Sequence, residues 1–142
     1  MWRTISTICL ATVAFLFTLG IRPSVVRGDE VDPNKAALIG TWKLVITPTD
    51  ATVRDGGKQF KDAVCFQETE VMSEAFALYG FVCDESWVYA DGAVFSGTMS
   101  SGSKGTLYWQ GSACGHEISG SVEWVKADGT AWVFTFSGTR AN

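Results

Sequence analysis

Residues 105–140 read GTLYWQGSACGHEISGSVEWVKADGTAWVFTFSGTR, and the spacing of their apolar residues indicates the fold class. Large apolar side chains recur at every second position, and most positions between them are small or polar. One phase of this alternation contains Leu107, Trp109, His116, Ile118, Gly120, Val122, Trp124, Trp132, Phe134, Phe136 and Gly138. A period of two is typical of strands with one buried face, and Asp128-Gly129 between the last two runs favours a tight hairpin turn. The stretch predicts an antiparallel meander whose apolar face points inward.

The residues before this stretch predict more strands of the same kind. In chain order we expect a strand at 38–47 ended by Pro48, a loop at 49–59, a strand at 61–72, a short helix from Ser73 to Gly80, and strands at 81–89 and 93–99 around Asp91-Gly92. Seven or at most eight strands, mostly adjacent in sequence, predict an all-β domain. Such strands form either a closed up-and-down barrel, which removes exposed sheet edges, or a two-layer β-sandwich. We expect a single small antiparallel up-and-down barrel, because of a resemblance at the two ends of the domain that is described below, and the sandwich is the alternative.

The first 28 residues have the pattern of an export signal. Arg3 precedes an apolar run at 8–19, and Val26-Arg27-Gly28 offers a cleavage site. The run is shorter than the ~20 residues that cross a bilayer, so no stable membrane span is expected. We therefore predict a signal peptide at 1–28, an exposed lead-in at 29–37 and a single β domain at 38–142, secreted or periplasmic after cleavage.

The charge balance of the chain is acidic, with 11 Lys and Arg against 15 Asp and Glu. Cleavage after residue 28 would remove three arginines and no acid, leaving 8 basic against 15 acidic residues, a charge of −7. Phosphate backbones are bound by basic surfaces, so nucleic acid is not an expected partner. The sequence leaves the oligomeric state open.

Three cysteines remain in the predicted mature chain: Cys65, Cys83 and Cys114. An exported protein is permitted a disulfide, and three thiols leave one odd. We favour a bond between Cys65 and Cys83, because both lie in strand-like runs that flank the predicted helix. A bond from Cys114 to either of the other two, or no bond, is the alternative.

The first predicted strand contains Gly40-Thr41-Trp42, which resembles the G-x-W signature of the calycins, the lipocalin and avidin-like barrels. In that family the Trp packs across the closed end of the barrel, and a basic side chain of the last strand lies over its ring. The resemblance implies that Arg140, which continues the inward phase of the last run, covers Trp42 as a cation over an aromatic plane.

Aromatic side chains on the inward phase are the candidates for ligand contact, since small pockets are lined in this way. The candidates are Phe95, Trp109, Trp124, Trp132 and Phe134. We expect a non-catalytic exported protein that binds a small apolar molecule inside the barrel. The alternative is an interaction or structural module of the cell surface or envelope that acts through its outer sheet face, because a barrel of about eight strands has an interior only just wide enough for its own side chains.

Two further patterns bear on chemistry. Cys114 and His116 lie two residues apart, which could pair a nucleophile with a base, but Gly115 between them indicates a turn. Four acids near two predicted strands could gather around a hard cation such as calcium, although such acids usually solvate a strand. They are Glu68, Glu70, Asp84 and Glu85. One histidine and scattered acids give no ligand spacing, so we expect no catalytic residue, no metal and no cofactor.

Overall fold

The computed structural model describes residues 32–85 and 87–141, so the predicted signal peptide at 1–28 lies outside the described residues. The described chain is mostly β-strand. Its elements are α1 (Pro33–Ala36), β1 (Gly40–Pro48), α2 (Asp50–Arg54), β2 (Phe60–Phe66), β3 (Val71–Ser73), α3 (Glu74–Ala77), β4 (Val82–Cys83), β5 (Val88–Ala90), β6 (Val94–Ser101), β7 (Gly105–Cys114), β8 (Glu117–Val125) and β9 (Ala131–Arg140). Within this part of the chain, no helix has the length and apolar character needed to cross a bilayer.

The strands form one antiparallel sheet that curls into a nearly closed barrel. Their spatial order is β3-β2-β1-β9-β8-β7-β6-β4, and β5 pairs with β6 beside this path. Most neighbours in space are neighbours in sequence, while the first and ninth strands meet to bring the two halves together. The outermost strands, β3 and β4, approach each other where the backbone N–H of Val71 donates to Cys83 Sγ over 3.4 Å. The predicted all-β barrel is confirmed.

The inner face of the barrel carries the predicted alternation. Leu107, Trp109, Ile118, Val122, Phe134 and Phe136 are all buried, as the period of two requires. Trp124 and Trp132 are half-buried and lie opposite each other near one end of β8 and β9. His116 is an exception, because Gly115 at φ 62 turns the chain between β7 and β8 and leaves His116 exposed. Its predicted place on the inner face is therefore wrong.

Two glycines in the barrel wall make room for the rings of the core. Gly111 on β7 faces Gly120 on β8, and a Cβ on either would stand less than 3 Å from the Phe136 ring. The Phe95 ring approaches Gly111 equally closely. Because interiors pack at close to crystal density, side chains at these two positions would collide with the rings. The glycines therefore let large aromatics fill the middle of a narrow barrel.

Several predicted boundaries differ from the structure. The strand expected at 61–72 is a hairpin of β2 and β3, whose turn is closed by a hydrogen bond from Gln67 N to Glu70 O. The strand expected at 81–89 is divided into β4 and β5. The expected loop at 49–59 contains α2, which begins where Thr49 Oγ1 accepts from Thr52 N. The lead-in at 29–37 is mostly exposed where it is described, but it contains α1, capped by Asp32.

Helix α3 forms where the sequence predicts it. Ser73 is its N-cap and accepts from Phe76 N over 3.1 Å, and Gly80 at φ 86 follows its last turn. The helix connects β3 to the segment that leads into β4. Its buried Phe76 points into the barrel and contacts Phe81 and Trp109 edge to face. A short helix thus places one aromatic side chain inside the barrel.

Trp42 and Arg140 lie at one end of the barrel, where they are neighbours in the register of β1 and β9. Trp42 is fully buried, and its Nε1 donates to Leu38 O over 2.9 Å. The Arg140 guanidinium lies over the Trp42 ring, 4.3 Å from its centroid. The same guanidinium donates to the carbonyls of Ile39 and Ala37 over 2.7 and 2.6 Å. One side chain thus covers the ring and satisfies two carbonyls of the preceding turn.

The favoured disulfide between Cys65 and Cys83 is not formed, since both residues are free thiols. Cys65 stands between the inward-facing Val64 and Phe66 and therefore points outward, where Gln67 Nε2 donates to its sulfur. Cys83 instead takes part in the contact between β3 and β4. Burial raises the pKa of the Cys83 thiol, which keeps its proton and donates it to Asp84 O.

Candidate functional site

A cavity of about 400 Å³ opens at the end of the barrel away from Trp42. It lies among α3, the start of β2, the end of β8 and the start of β9. The register places it there, because Phe134 on β9 faces Pro48, the last residue of β1, whereas Arg140 faces Trp42 near the beginning of β1. The lining residues are Gly56, Lys58, Gln59, Phe60, Lys61, Ala75, Phe76, Leu78, Tyr79, Trp124, Trp132 and Phe134. We call this the open-end cavity.

Six aromatic rings line the cavity, and five of them form a wall that is connected by edge-to-face contacts. Phe60 contacts Phe76 and Phe134 edge to face, with centroids 5.6 and 5.8 Å apart. Trp124 contacts Phe76 at 5.9 Å and Trp132 at 6.1 Å, also edge to face. This arrangement is favourable for aromatic pairs, because the edge of one ring is positive and the face of the next is negative. The rings therefore hold one another in place.

The polar edges of the two tryptophans are bound to neighbouring loops. Trp132 Nε1 donates to Asp55 Oδ2 over 2.7 Å, just after α2. Trp124 Nε1 donates to Lys104 O over 2.8 Å, in the turn between β6 and β7. Because both indole N–H groups are satisfied by protein, these side chains present hydrocarbon to the cavity. The hydrogen bonds also fix the orientation of the two rings, and a fixed wall would lower the entropy cost of binding a molecule there.

No protein-family model, curated protein or solved structure matches this chain. Its function is therefore inferred from its own geometry.

The charged residues that line the cavity, among those that the structure describes, are Lys58 and Lys61, and both are basic. An acid nearby, Asp55, is bound to the Trp132 indole from the adjoining loop. Lys126 Nζ lies over the Trp132 ring, 3.1 Å from the centroid, and 5.0 Å from the centroid of Trp124. Cations favour the negative face of an indole ring. The rim of the cavity thus has an ammonium group beside its two tryptophans.

The structure separates the five predicted ligand-contact residues into two groups. Trp124, Trp132 and Phe134 line the open-end cavity. Phe95 and Trp109 are buried, with 2% and 3% of their surface exposed, and belong to the packed core. Phe60, Phe76 and Tyr79 also line the cavity but were not predicted to do so. The alternation placed residues on the inner face, but nothing in it distinguishes the end of a strand from the middle.

The Trp109 side chain leaves one polar group in the core without a partner. Its Nε1 is buried, and within the described part of the chain no atom accepts its hydrogen bond. An unsatisfied buried donor costs about 1–3 kcal/mol. Trp109 contacts Phe76 and Phe136 at 6.0 and 5.5 Å, so this group lies in the layer beneath the cavity.

A second depression, of about 590 Å³, lies on the outer side of β1 and β2 beside α3. It is larger than the open-end cavity and more open to solvent. It is lined by Lys43, Leu44, Val45, Lys61, Asp62, Ala63, Glu74, Ala75 and Leu78. It has no aromatic ring and alternates apolar with charged groups, so it suits a small apolar ligand less well than the open-end cavity does.

Asp62 is an acid on the inner phase of β2, between Phe60 and Val64, and it is buried. Its carboxylate accepts from Ser73 Oγ and, over 2.8 Å, from Ala75 N at the start of α3. Burial raises the pKa of Asp62 above its ordinary value, although the two hydrogen bonds lower it in part. These contacts assign Asp62 a structural role, because they anchor α3 to the barrel wall.

The sequence suggested Cys114 and His116 for catalysis and four acids, Asp84 among them, for cation binding. Cys114 ends β7 and pairs in register with Glu117, while His116 lies exposed in the turn between them. Asp84 Oδ2 accepts from Thr98 Oγ1 and Ser100 Oγ over 2.6 and 2.7 Å. Within residues 32–85 and 87–141, no three His, Cys, Asp or Glu side chains are grouped so that they could hold a metal ion.

Proposed function

We propose that this protein is a non-catalytic, exported binding protein that holds a small apolar molecule in the open-end cavity. The observation that carries the proposal is the ring-lined cavity of about 400 Å³, in which both tryptophan N–H groups are already bound by the protein. Sites for small molecules are commonly concave, mostly apolar and a few hundred Å³ in volume. The proposed ligand lies at the mouth of the barrel.

The packing of the core supports a shallow site. Phe95, Trp109 and Phe136 occupy the middle of the barrel, and Phe95 and Trp109 each contact Phe136. A ligand of more than a few atoms would have to displace these rings to go deeper. We therefore propose that the ligand contacts Phe76 as the floor of the site, with Trp124, Trp132 and Phe134 as its wall.

The closed end supports a calycin-like assignment as part of the same proposal. The implied contact of Trp42 with a basic side chain of the last strand is present as the stack of Arg140 on Trp42. In barrels of this kind one end is sealed and the other admits the ligand. The position of the cavity at the end away from Trp42 fits that arrangement.

The filled core also favours a second candidate, a packed interaction module that acts through its outer face. Tyr108 on β7 is 48% exposed, and beside it Gln110 Nε2 donates to Ser121 Oγ on β8. Tyrosine with small polar neighbours suits contact with another macromolecule. In this case the open-end cavity would bind no small molecule.

The proposed function is tested with a neutral fluorescent probe, phenylnaphthylamine, whose emission rises in apolar surroundings. We expect saturable binding to the folded protein and energy transfer to the probe from tryptophan. The blocking variant is Ala75→Phe, because Ala75 lines the cavity and a larger side chain there fills it. The matched control is Ala77→Phe, an exposed position on the same helix outside the lining.

Ala75→Phe should weaken probe binding at least about tenfold, since an apolar ligand loses most of its buried area. Ala77→Phe should bind as the original protein does. Circular dichroism and denaturant unfolding establish that both variants are folded. If the original protein does not bind the probe, or if both variants bind it equally well, the ligand-binding proposal fails and the interaction module becomes the better account.

A further inference from the structure

We infer that the ligand of the open-end cavity carries an anionic group, such as a carboxylate, sulfonate or phosphate, on an otherwise apolar, planar body. This inference rests on the proposed function, because it names the class of molecule that the same cavity takes. It is carried by three lysines placed around an aromatic wall: Lys58, Lys61 and Lys126.

The positive charge of these lysines around the cavity contrasts with the net negative charge of the chain. The chain has 15 acids and 11 basic residues, yet the described residues that line the cavity include two lysines and no acid. Lys126 adds a third ammonium group where it lies over Trp132. A locally positive surface on a protein of negative net charge attracts anionic ligands to that place.

The position of Lys126 suits an amphipathic ligand. Its Nζ is held between two ring faces, at 3.1 Å from the Trp132 centroid and 5.0 Å from the Trp124 centroid. The negative faces of the indole rings attract the ammonium group and keep it beside the aromatic wall. An apolar body against Phe134 and Trp132 would place its anionic end next to this ammonium group.

Three acids lie near the open-end cavity, but its described lining keeps an excess of positive charge. Asp55 accepts the Trp132 indole hydrogen bond, so one of its oxygens is engaged. Asp128 lies in the turn after β8 and accepts from Thr130 N over 2.9 Å. Glu74 lines the outer depression with Lys61 and not the cavity. A cationic ligand would meet the three ammonium groups first, and like charges repel.

The inference is tested with two probes that share one ring system, phenylnaphthylamine and anilinonaphthalene sulfonate. They differ by the sulfonate, so the ratio of their dissociation constants isolates the anionic group. We expect the sulfonate to bind about tenfold more tightly at low salt, which is about the sum of three partly exposed charge contacts. The preference should decline as salt is raised toward molar concentrations, because ions screen exposed charges.

Substitution of the lysines identifies the source of the preference. Lys58→Gln, Lys61→Gln and Lys126→Gln should each weaken sulfonate binding by roughly two- to fivefold and leave the neutral probe unchanged. The triple variant should bind the two probes equally well. Lys35→Gln is the matched control, since Lys35 is outside the cavity lining and lies near Tyr89, with its Nζ 5.5 Å from that ring.

The outcomes separate this inference from the function on which it depends. If neither probe binds, the proposed function itself is wrong. If the neutral probe binds and the sulfonate has no advantage, or if its advantage survives in the triple variant, the inference of an anionic ligand is overturned while the binding site stands. Loss of sulfonate binding in Lys35→Gln would also overturn it, because the effect would then not belong to the cavity.

Discussion

Arg140 connects three residues of the closed end. Its guanidinium covers Trp42 and caps two carbonyls, and a Cβ on Gly40 would lie 2.9 Å from its Nη1. Gly40 also has a φ of 125°, which side-chain-bearing residues rarely adopt. The glycine leaves room for the arginine side chain, and the arginine side chain covers the tryptophan ring. These two contacts give the G-x-W pattern a physical reason in this chain.

Arg140→Lys should lower the free energy of unfolding by about 1–3 kcal/mol. Lysine keeps the charge but lacks the planar fork that donates to Ala37 and Ile39 while stacking on Trp42. The control is Arg54→Lys at the exposed end of α2, for which we expect a change within about 0.5 kcal/mol. Urea unfolding followed by tryptophan fluorescence measures both. Equal stability of the two variants would mean that the closed end does not depend on the guanidinium.

The junction of β2, β3 and α3 is held together by the carboxylate of Asp62. Asp62 on β2 accepts from Ser73 at the end of β3 and from Ala75 in α3. Ser73 in turn caps α3. Since α3 places Phe76 beneath the open-end cavity, one buried carboxylate supports the floor of the candidate site.

The stability of the protein should carry a pH dependence that comes from Asp62. Burial raises the pKa of the folded carboxyl above its ordinary value of 3.8, so the folded state binds a proton at a pH where the unfolded state has lost it. The contribution of Asp62 to stability therefore rises as pH falls through the raised folded pKa toward 3.8, and declines as pH rises. Asp62→Asn removes this dependence.

We expect the stability difference between the original protein and Asp62→Asn to grow in favour of the original as the pH is lowered from 7 to about 4. Denaturant unfolding at several pH values measures it, and the subtraction cancels the titration of other groups. A difference that stays constant with pH, or shrinks on acidification, would show that the folded pKa of Asp62 is not raised.

Elements with strong local signals were predictable from the sequence, and elements fixed by distant contacts were not. The Asp91-Gly92 and Asp128-Gly129 turns and the Ser73 cap depend on residues that are adjacent in sequence, and each of these predictions is confirmed. The division of 61–72 into β2 and β3 was missed, because its turn is made of Gln67–Glu70, without glycine or proline. Helix α2 has a cap at Thr49 but spans five residues, too few for a hydrophobic period to show.

Two of the shortest strands of the barrel, β3 and β4, meet where the sheet closes on itself. These strands have three and two residues, and the contact across them runs from Val71 N to Cys83 Sγ over 3.4 Å. The pairs β1–β2, β7–β8 and β8–β9 are instead joined by long antiparallel ladders. A thiol, which is a weak acceptor, thus stands where the other neighbours have backbone hydrogen bonds.

Cys83→Ala should lower the free energy of unfolding by about 1–2 kcal/mol, because it leaves the partly buried N–H of Val71 without its acceptor. Cys65→Ala is the matched control, and it should change stability by less than about 0.5 kcal/mol, since Cys65 points outward. Alkylation without reductant, followed by peptide mass spectrometry, should label both cysteines. Recovery of a peptide in which Cys65 and Cys83 are linked would contradict the free thiols.

The sequence predicts which residues of the candidate site face the interior of the barrel, but not how deep along the barrel each of them lies. Alternation identifies the inner face, and Trp124, Trp132 and Phe134 of that face line the open-end cavity. Depth along the barrel depends on register and on where α3 crosses, and neither is encoded by a period of two. Trp109 and Phe95 share the inner phase but lie deeper, and the rim lysines gave no signal beyond ordinary surface charge.

The pairing of β1 with β9 has a consequence for biosynthesis. Arg140 bonds to the carbonyl of Ile39, 101 positions earlier, so β1 and β9, the two strands that join the halves of the sheet, are synthesised at opposite ends of the domain. A nascent chain exposes the edge of β1 until the ribosome has released β9, and an open edge is a template for association with other chains. Closure therefore follows synthesis of the whole domain, and such long-range pairing is slow. During that interval a chaperone that shields β1 would raise the yield of folded protein.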